Sequence, residues 1–105
     1  MSLKDQRTHY GRVAALGCQV CRNQGQPGTP AEIHHLRDHT GAGRKVDYTE
    51  VIPLCAIHHR LGDLSDRCGE QLGYHVLPRT WEARYGTQRE LLEQVRELLG
   101  ERVAA

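Results

Sequence analysis

The 105-residue sequence has no phenylalanine, and one tryptophan and four tyrosines are its only aromatic residues. A chain this short and this poor in large apolar side chains builds a thin hydrophobic core and needs a staple. It lacks any apolar run near the roughly 18 residues that a membrane span requires, which excludes a helical membrane protein. No apolar signal region opens the chain, so a cytoplasmic location in a bacterial host cell is expected. No internal repeat or extended low-complexity segment is present, and residues 1–105 read as one domain. Strong charge of either sign is missing too. The net charge of +1 does not by itself announce a nucleic-acid partner. Lysine occurs only at positions 4 and 45, so almost every cation is arginine. Arginine suits bidentate phosphate contacts, although a GC-rich genome produces the same bias.

What the sequence does have is a concentration of metal-binding side chains. Cys18-Gln19-Val20-Cys21, Ile33-His34-His35-Leu36 and Pro53-Leu54-Cys55-Ala56-Ile57-His58-His59 place seven cysteines and histidines within 42 residues. Cys18 and Cys21 can point at one ion from a tight knuckle, and Cys55 with His58 repeats the i, i+3 spacing, which together make a Cys3His zinc site. Cysteines that pair with histidines at this spacing argue for a reducing compartment and a zinc staple rather than disulfides. Neighbouring residues on a helix are about 100° apart, so His58 and His59 cannot easily serve the same ion. The repeated spacing assigns His58 to zinc and leaves His59 free; the reverse assignment stays open. One zinc takes four ligands, so His34, His35 and His59 are surplus and point to a second, working site. Cys68 has no partner and reads as an ordinary thiol. His9 and His39 read as solvated or hydrogen-bonding histidines, Asp38, Asp63 and Asp66 as loop residues, and Trp81 and Tyr85 as core.

Periodicity arranges these motifs on short elements. Asp5 to Leu16 reads as a helix with Tyr10, Val13 and Leu16 on one face, stopped by Gly17. Residues 22–30 are a turn-rich loop, Ala31 to Leu36 a strand, residues 37–47 the loop of a long hairpin, and Tyr48 to Leu54 the returning strand. Cys55 to about Leu61 is expected to be helical. A strand or turn at Tyr74 to Leu77 leads to a short helix from Trp81 to Tyr85. The closing helix carries a Thr87/Glu90 capping box and an apolar stripe of Leu91, Leu92, Val95, Leu98 and Leu99, and reads as a packing element.

A strand ending in His-His, a hairpin return and a helix whose first turn carries another His resembles the HNH endonucleases. Cys18-x-x-Cys21, Ile33-His34-His35 and Val51-Ile52-Pro53-Leu54-Cys55-x-x-His58-His59 are similar to the zinc-knuckle branch of that family. The run His34-His35-Leu36-Arg37, Gly41-x-Gly43-Arg44-Lys45-x-Asp47, the later His75 and Trp81-Glu82-Ala83-Arg84-Tyr85-Gly86-Thr87 extend the likeness to phage nucleases related to the recombination enhancement function (Ref) proteins, over roughly residues 10–99. The resemblance implies a small α+β domain of ββα-metal (HNH, His-Me finger) type, with one structural zinc and flanking helices. It implies metal-dependent hydrolysis of DNA phosphodiester bonds with Mg²⁺ or Mn²⁺. His35 is then the base and His34 and His59 are ligands of the catalytic metal, although the sequence alone allows His34 and His35 to exchange roles; His75 is the third ligand with Asp63 in reserve. Arg37, Arg44 and Lys45 are the phosphate contacts. The HNH asparagine is replaced: its position falls at Glu50, and Asp47 is expected to orient His35 instead.

The chemistry is coherent, since such hydrolysis needs a base to activate water, a divalent cation and a hold on the phosphate. A RecA filament on DNA is a further partner that the resemblance raises, against which stands the short segment before Cys18, 17 residues without a long basic arm. Few cations mean few neutralised phosphates, so a homodimer or a DNA-bound partner would strengthen weak binding by a monomer. The alternatives from another class are a non-catalytic zinc-finger module binding nucleic acid or protein, and an HNH fold that has lost activity with its asparagine.

Overall fold

The computed structural model describes residues 2–37, 47–63 and 71–100. Asp38, His39, Gly41, Gly43, Arg44, Lys45, Asp66 and Cys68 lie outside these residues, and with them two of the three expected phosphate contacts.

The fold is α+β, with a two-stranded antiparallel sheet at its centre. Helix α1 spans Leu3–Ala15 and begins two residues earlier than expected, because the Ser2 side chain accepts the Asp5 N–H (3.1 Å) as an N-cap. It buries Val13 and rests Tyr10 and Leu16 against the core. Gly17 ends it at φ 76°, a left-handed turn in which a Cβ would press on the backbone of Gly28 and Thr29 at 3.0 Å. The short helix α2, Gln19–Asn23, starts from Cys18, whose sulfur receives the Cys21 N–H. That local bond turns Cys18 and Cys21 to one side.

Strands β1 (Glu32–His35) and β2 (Val51–Leu54) pair in the register Glu32 with Leu54, Ile33 with Pro53, His34 with Ile52 and His35 with Val51. Both are shorter than their apolar patterns suggest. Asp47 Oδ1 accepts from the Thr49 N–H (2.9 Å) and hydroxyl (2.7 Å), which diverts the backbone into turns before Val51. Pro53, with no N–H to donate, is tolerated because each strand of a two-stranded sheet is an edge.

The expected helix after β2 begins at Ile57 rather than Cys55 and is the wider π form: Ile57–Leu61 is closed by Gly62 N–H donating to the Ile57 carbonyl (2.7 Å). Two backbone bonds then dock the next described segment on this turn, from Tyr74 N to His58 O (2.9 Å) and from His75 N to His59 O (3.0 Å). Tyr74 and His75 lie in a turn. Helix α3, Pro78–Tyr85, opens on proline and buries Trp81 completely. Helix α4, Gln88–Leu98, has the expected Thr87/Glu90 capping box and buries Leu91, Leu92 and Val95; Leu98 is exposed rather than part of the buried stripe. The core joins Val13 of α1, the inner face of the hairpin, Trp81 of α3 and these α4 residues. Among the described residues no helix is long and apolar enough to cross a membrane.

Candidate metal centres

The α2 knuckle and the start of the π-turn bring four donors to one point. Cys18, Cys21 and Cys55 sulfurs lie 3.6, 3.5 and 3.2 Å from His58 Nδ1, and Cys21 Sγ is 3.9 Å from Cys55 Sγ. A tetrahedral zinc, with bonds of about 2.3 Å to sulfur and about 2.0 Å to nitrogen, sets its donors roughly 3.5 to 3.8 Å apart. The four residues fit such an ion, all four are buried, and the three cysteines are free thiols rather than disulfides. Their packing couples their protons. A hydrogen bond with Cys55, and then burial, push the Cys18 thiol up, whereas that same bond, with His58 adding to it, holds Cys55 down at about 3. A divalent cation among them would favour the thiolates. His58 is oriented from behind, with Nε2 2.7 Å from Gln71 Oε1, which leaves the Nδ1 lone pair for the sulfur side. Trp81 Nε1–H donates to the His58 carbonyl (2.9 Å) and ties α3 to the same turn.

A second group of donors stands beside the first. One ring nitrogen each from His34, His59 and His75 lie within 4.8 Å of one another. His59 Nε2 and His75 Nε2 are 3.2 Å apart. Two imidazoles on one ion, at about 2.1 Å each, hold their nitrogens about 3.0 to 3.4 Å apart, so this pair fits a shared cation. His59 Nδ1 is 2.8 Å from Glu32 Oε1, and Arg60 holds both oxygens of that carboxylate, with its Nη2 2.9 Å from Oε2. These bonds, Arg60 first and His59 second, draw Glu32 down to about 2. His34 is 1% exposed, with Nε2 2.8 Å from Gln88 Oε1 and its ring edge-on to Tyr74. Burial lowers its pKa to about 4, and the charges of His59, His75 and Arg37 act the same way. Burial, His59 and Arg37 lower His75 as well. His34 and His75 are therefore neutral, with lone pairs available, at physiological pH. The group is buried at His34 and open at His75, so one side of it faces solvent.

The structure thus brings together Cys18, Cys21, Cys55 and His58 in one set and His34, His59 and His75 in another. His35, which follows His34 in β1, is not part of the second donor set, and its Nε2 is 3.2 Å from the Tyr10 hydroxyl. Asp47 Oδ1 accepts from Thr49, and the His35 ring is in contact with Tyr10. Asp63 pairs its backbone with Gln71 and belongs to neither donor set. Arg37 is exposed at the end of β1, close enough for its charge to act on His34 and His75. Glu50, at the asparagine position, accepts the Leu36 N–H through its carbonyl (3.1 Å) and pairs its carboxylate with Arg89 of α4, which braces the hairpin.

Periodicity and motif spacing do not single out Glu32, Gln88 or Gly73, and they place Tyr10 only on the apolar face of the first helix. Glu32 had a signal, since it stands two residues before His34 and shares its face of the strand. Gly73 had none: a Cβ there would meet Gly62 N, Arg60 C and Ile57 O at 2.9 to 3.1 Å, and its absence lets His75 reach His59.

No curated protein matches the chain. The family described as recombination enhancement, RecA-dependent nuclease matches residues 3–100. That description suggests the expected DNA substrate and also a relation to RecA, against which the short segment before Cys18 was weighed. The chain, with a buried Cys3His group and a second cluster of three histidines, belongs to the family of recombination enhancement, RecA-dependent nucleases.

Proposed function

We propose that this protein is a DNA endonuclease of the HNH, ββα-metal type, which cuts at the His34–His59–His75 group while the Cys3His group holds a structural zinc. The observation that carries the reading is the second donor set itself, with three imidazoles converging beside a closed zinc site and one side open to solvent. A binding module would need the Cys3His group alone.

A divalent ion at the three histidines would stabilise negative charge on the scissile phosphate and the leaving 3′ oxygen. Nitrogen donors suit Mn²⁺ or another first-row transition ion better than Mg²⁺, which prefers oxygen. His59 presents Nε2 because Glu32 accepts from Nδ1, and Arg60 keeps Glu32 ionised. His35 is the base. Its Nε2 lies 3.2 Å from the Tyr10 hydroxyl, and in the tautomer that carries hydrogen at Nε2 the free Nδ1 lone pair would take a proton from water. Arg37 supplies positive charge at the open side, and Arg44 and Lys45, which lie outside the described residues, are the further phosphate contacts of this reading. The small net charge gives a monomer little hold on DNA, and a RecA filament would supply the missing affinity and the choice of site.

The test is cleavage of duplex DNA paired by RecA-coated single strands, with Mn²⁺ or Mg²⁺, by wild type, His35→Ala and His59→Ala, with zinc measured in each. Metal-dependent cutting by wild type that is lost in both variants, each keeping one zinc, is expected. Wild type that binds the filament but cuts nothing with any metal would make the protein a zinc-stapled binding module.

A further inference from the structure

The N-terminus of α4 does more than pack. Gln88 is 1% exposed, and its Oε1 lies 2.9 Å from the backbone nitrogen of Arg37 and 2.8 Å from Nε2 of His34. A backbone N–H can only donate, so the Gln88 atom that receives it has to be the oxygen and not the amide nitrogen. The same oxygen is then an acceptor toward His34. A neutral imidazole that meets an acceptor at Nε2 must carry its hydrogen there, which leaves the Nδ1 lone pair unprotonated.

We infer that Gln88 is a positioning residue that locks His34 in the Nε2–H tautomer, so that Nδ1 is the atom His34 presents to a metal ion. The inference rests on the metal-site reading above and names how one ligand of that site is set. The two lone pairs of one amide oxygen hold the ligand and, three residues on, the backbone of Arg37, so one side chain registers both against α4. Gln88 is itself held, its N–H 3.3 Å from Glu82 Oε2 and its helix end closed by the Thr87/Glu90 box. Gln88 Nε2 is buried and has no hydrogen-bond partner among the described residues. The acceptor is therefore the useful half of the side chain, and glutamate at this position would keep it.

The experiment is long-range ¹H–¹⁵N NMR of the histidine rings in zinc-loaded wild type, Gln88→Leu and Gln88→Glu, followed by calorimetric titration with Mn²⁺. The wild type should show His34 as Nε2–H before Mn²⁺ is added. Gln88→Leu should lose that single tautomer and bind Mn²⁺ about 10- to 100-fold more weakly while keeping its zinc, the range seen when a ligand loses its orienting partner. Gln88→Glu should restore the tautomer and the affinity. A wild-type His34 protonated at Nδ1, or a zinc-loaded Gln88→Leu with unchanged tautomer and affinity, would overturn the inference. If Gln88→Leu does not fold, the wild-type and Gln88→Glu spectra decide it. Wild type with the Nε2–H tautomer and its zinc, but no Mn²⁺ uptake, would overturn the metal-site reading and leave the tautomer assignment standing.

Discussion

The two donor groups are built from the same short stretch of backbone and differ in almost every other respect. Cys55 and His58 face the knuckle, while His59, the next residue, faces His34 and His75. The first group is closed: four donors, three of them sulfur, all buried, with a neutral amide behind the histidine. The second is graded from the buried His34 to the exposed His75, has only nitrogen donors, and places a carboxylate behind His59 and an amide behind His34. A closed set of soft donors satisfies an ion completely and converts its binding energy into folding energy, whereas an incomplete set leaves coordination positions for a substrate. The difference teaches that the staple of the thin core and the proposed working site draw on separate groups, so each can be broken alone.

The largest test of that separation is Cys55→Ser. Structural zinc contributes about 10 to 16 kcal/mol of apparent binding energy in small domains, so the variant should lose its zinc and unfold, as read by metal analysis and circular dichroism. A folded, zinc-free Cys55→Ser protein would end the division into structural and working sites.

Gly73→Ala comes next and strikes the contact that joins the two. The added Cβ meets backbone on three sides, so a loss of roughly 1 to 3 kcal/mol in denaturant unfolding is expected from overpacking. His75 should retreat from His59, and Mn²⁺ affinity should fall with zinc content unchanged.

Glu32→Gln sharpens the comparison from the other side. It removes the carboxylate behind His59 and should weaken Mn²⁺ binding about 10- to 100-fold by calorimetry. Stability should change little, because the pair is open to solvent, with the side chains of Arg60 and Glu32 51% and 38% exposed.

The smallest effect is a pH dependence belonging to the second group alone. Burial holds His34 at about 4 against an ordinary 6.5, so the folded state disfavours its charged form. Its contribution is fully present above 6.5 and is lost as pH falls toward about 4, because the unfolded chain takes up the proton first. Thermal melts of Mn²⁺-free protein from pH 7.5 to about 5 should therefore fall more steeply for wild type than for His34→Gln. Zinc loss in acid affects both alike, so parallel curves would show that His34 is not held neutral by burial.

Much of this was legible in advance where chemistry depends on local spacing. The i, i+3 repeat of Cys18/Cys21 and Cys55/His58 announces one donor group, and the excess of histidines announces a second. The Thr87/Glu90 box and the α4 stripe follow from helical period, apart from Leu98. Strand ends were overextended because Asp47 redirects the chain through a side-chain bond that apolar alternation does not register.

The sequence by itself determined the inventory: which donors exist, that adjacent His34 and His35 divide between two faces of a strand, and that His58 and His59 diverge on a turn. These follow from backbone geometry over a few residues. Only the tertiary structure decided which atoms meet. His34 and Gln88 are 54 positions apart, and Tyr10 and His35 are 25 apart. The approach of His75 depends on a missing Cβ at Gly73. Such contacts leave no periodic trace, because they are set by how helices and hairpin pack on a shared core and not by the period of any one of them.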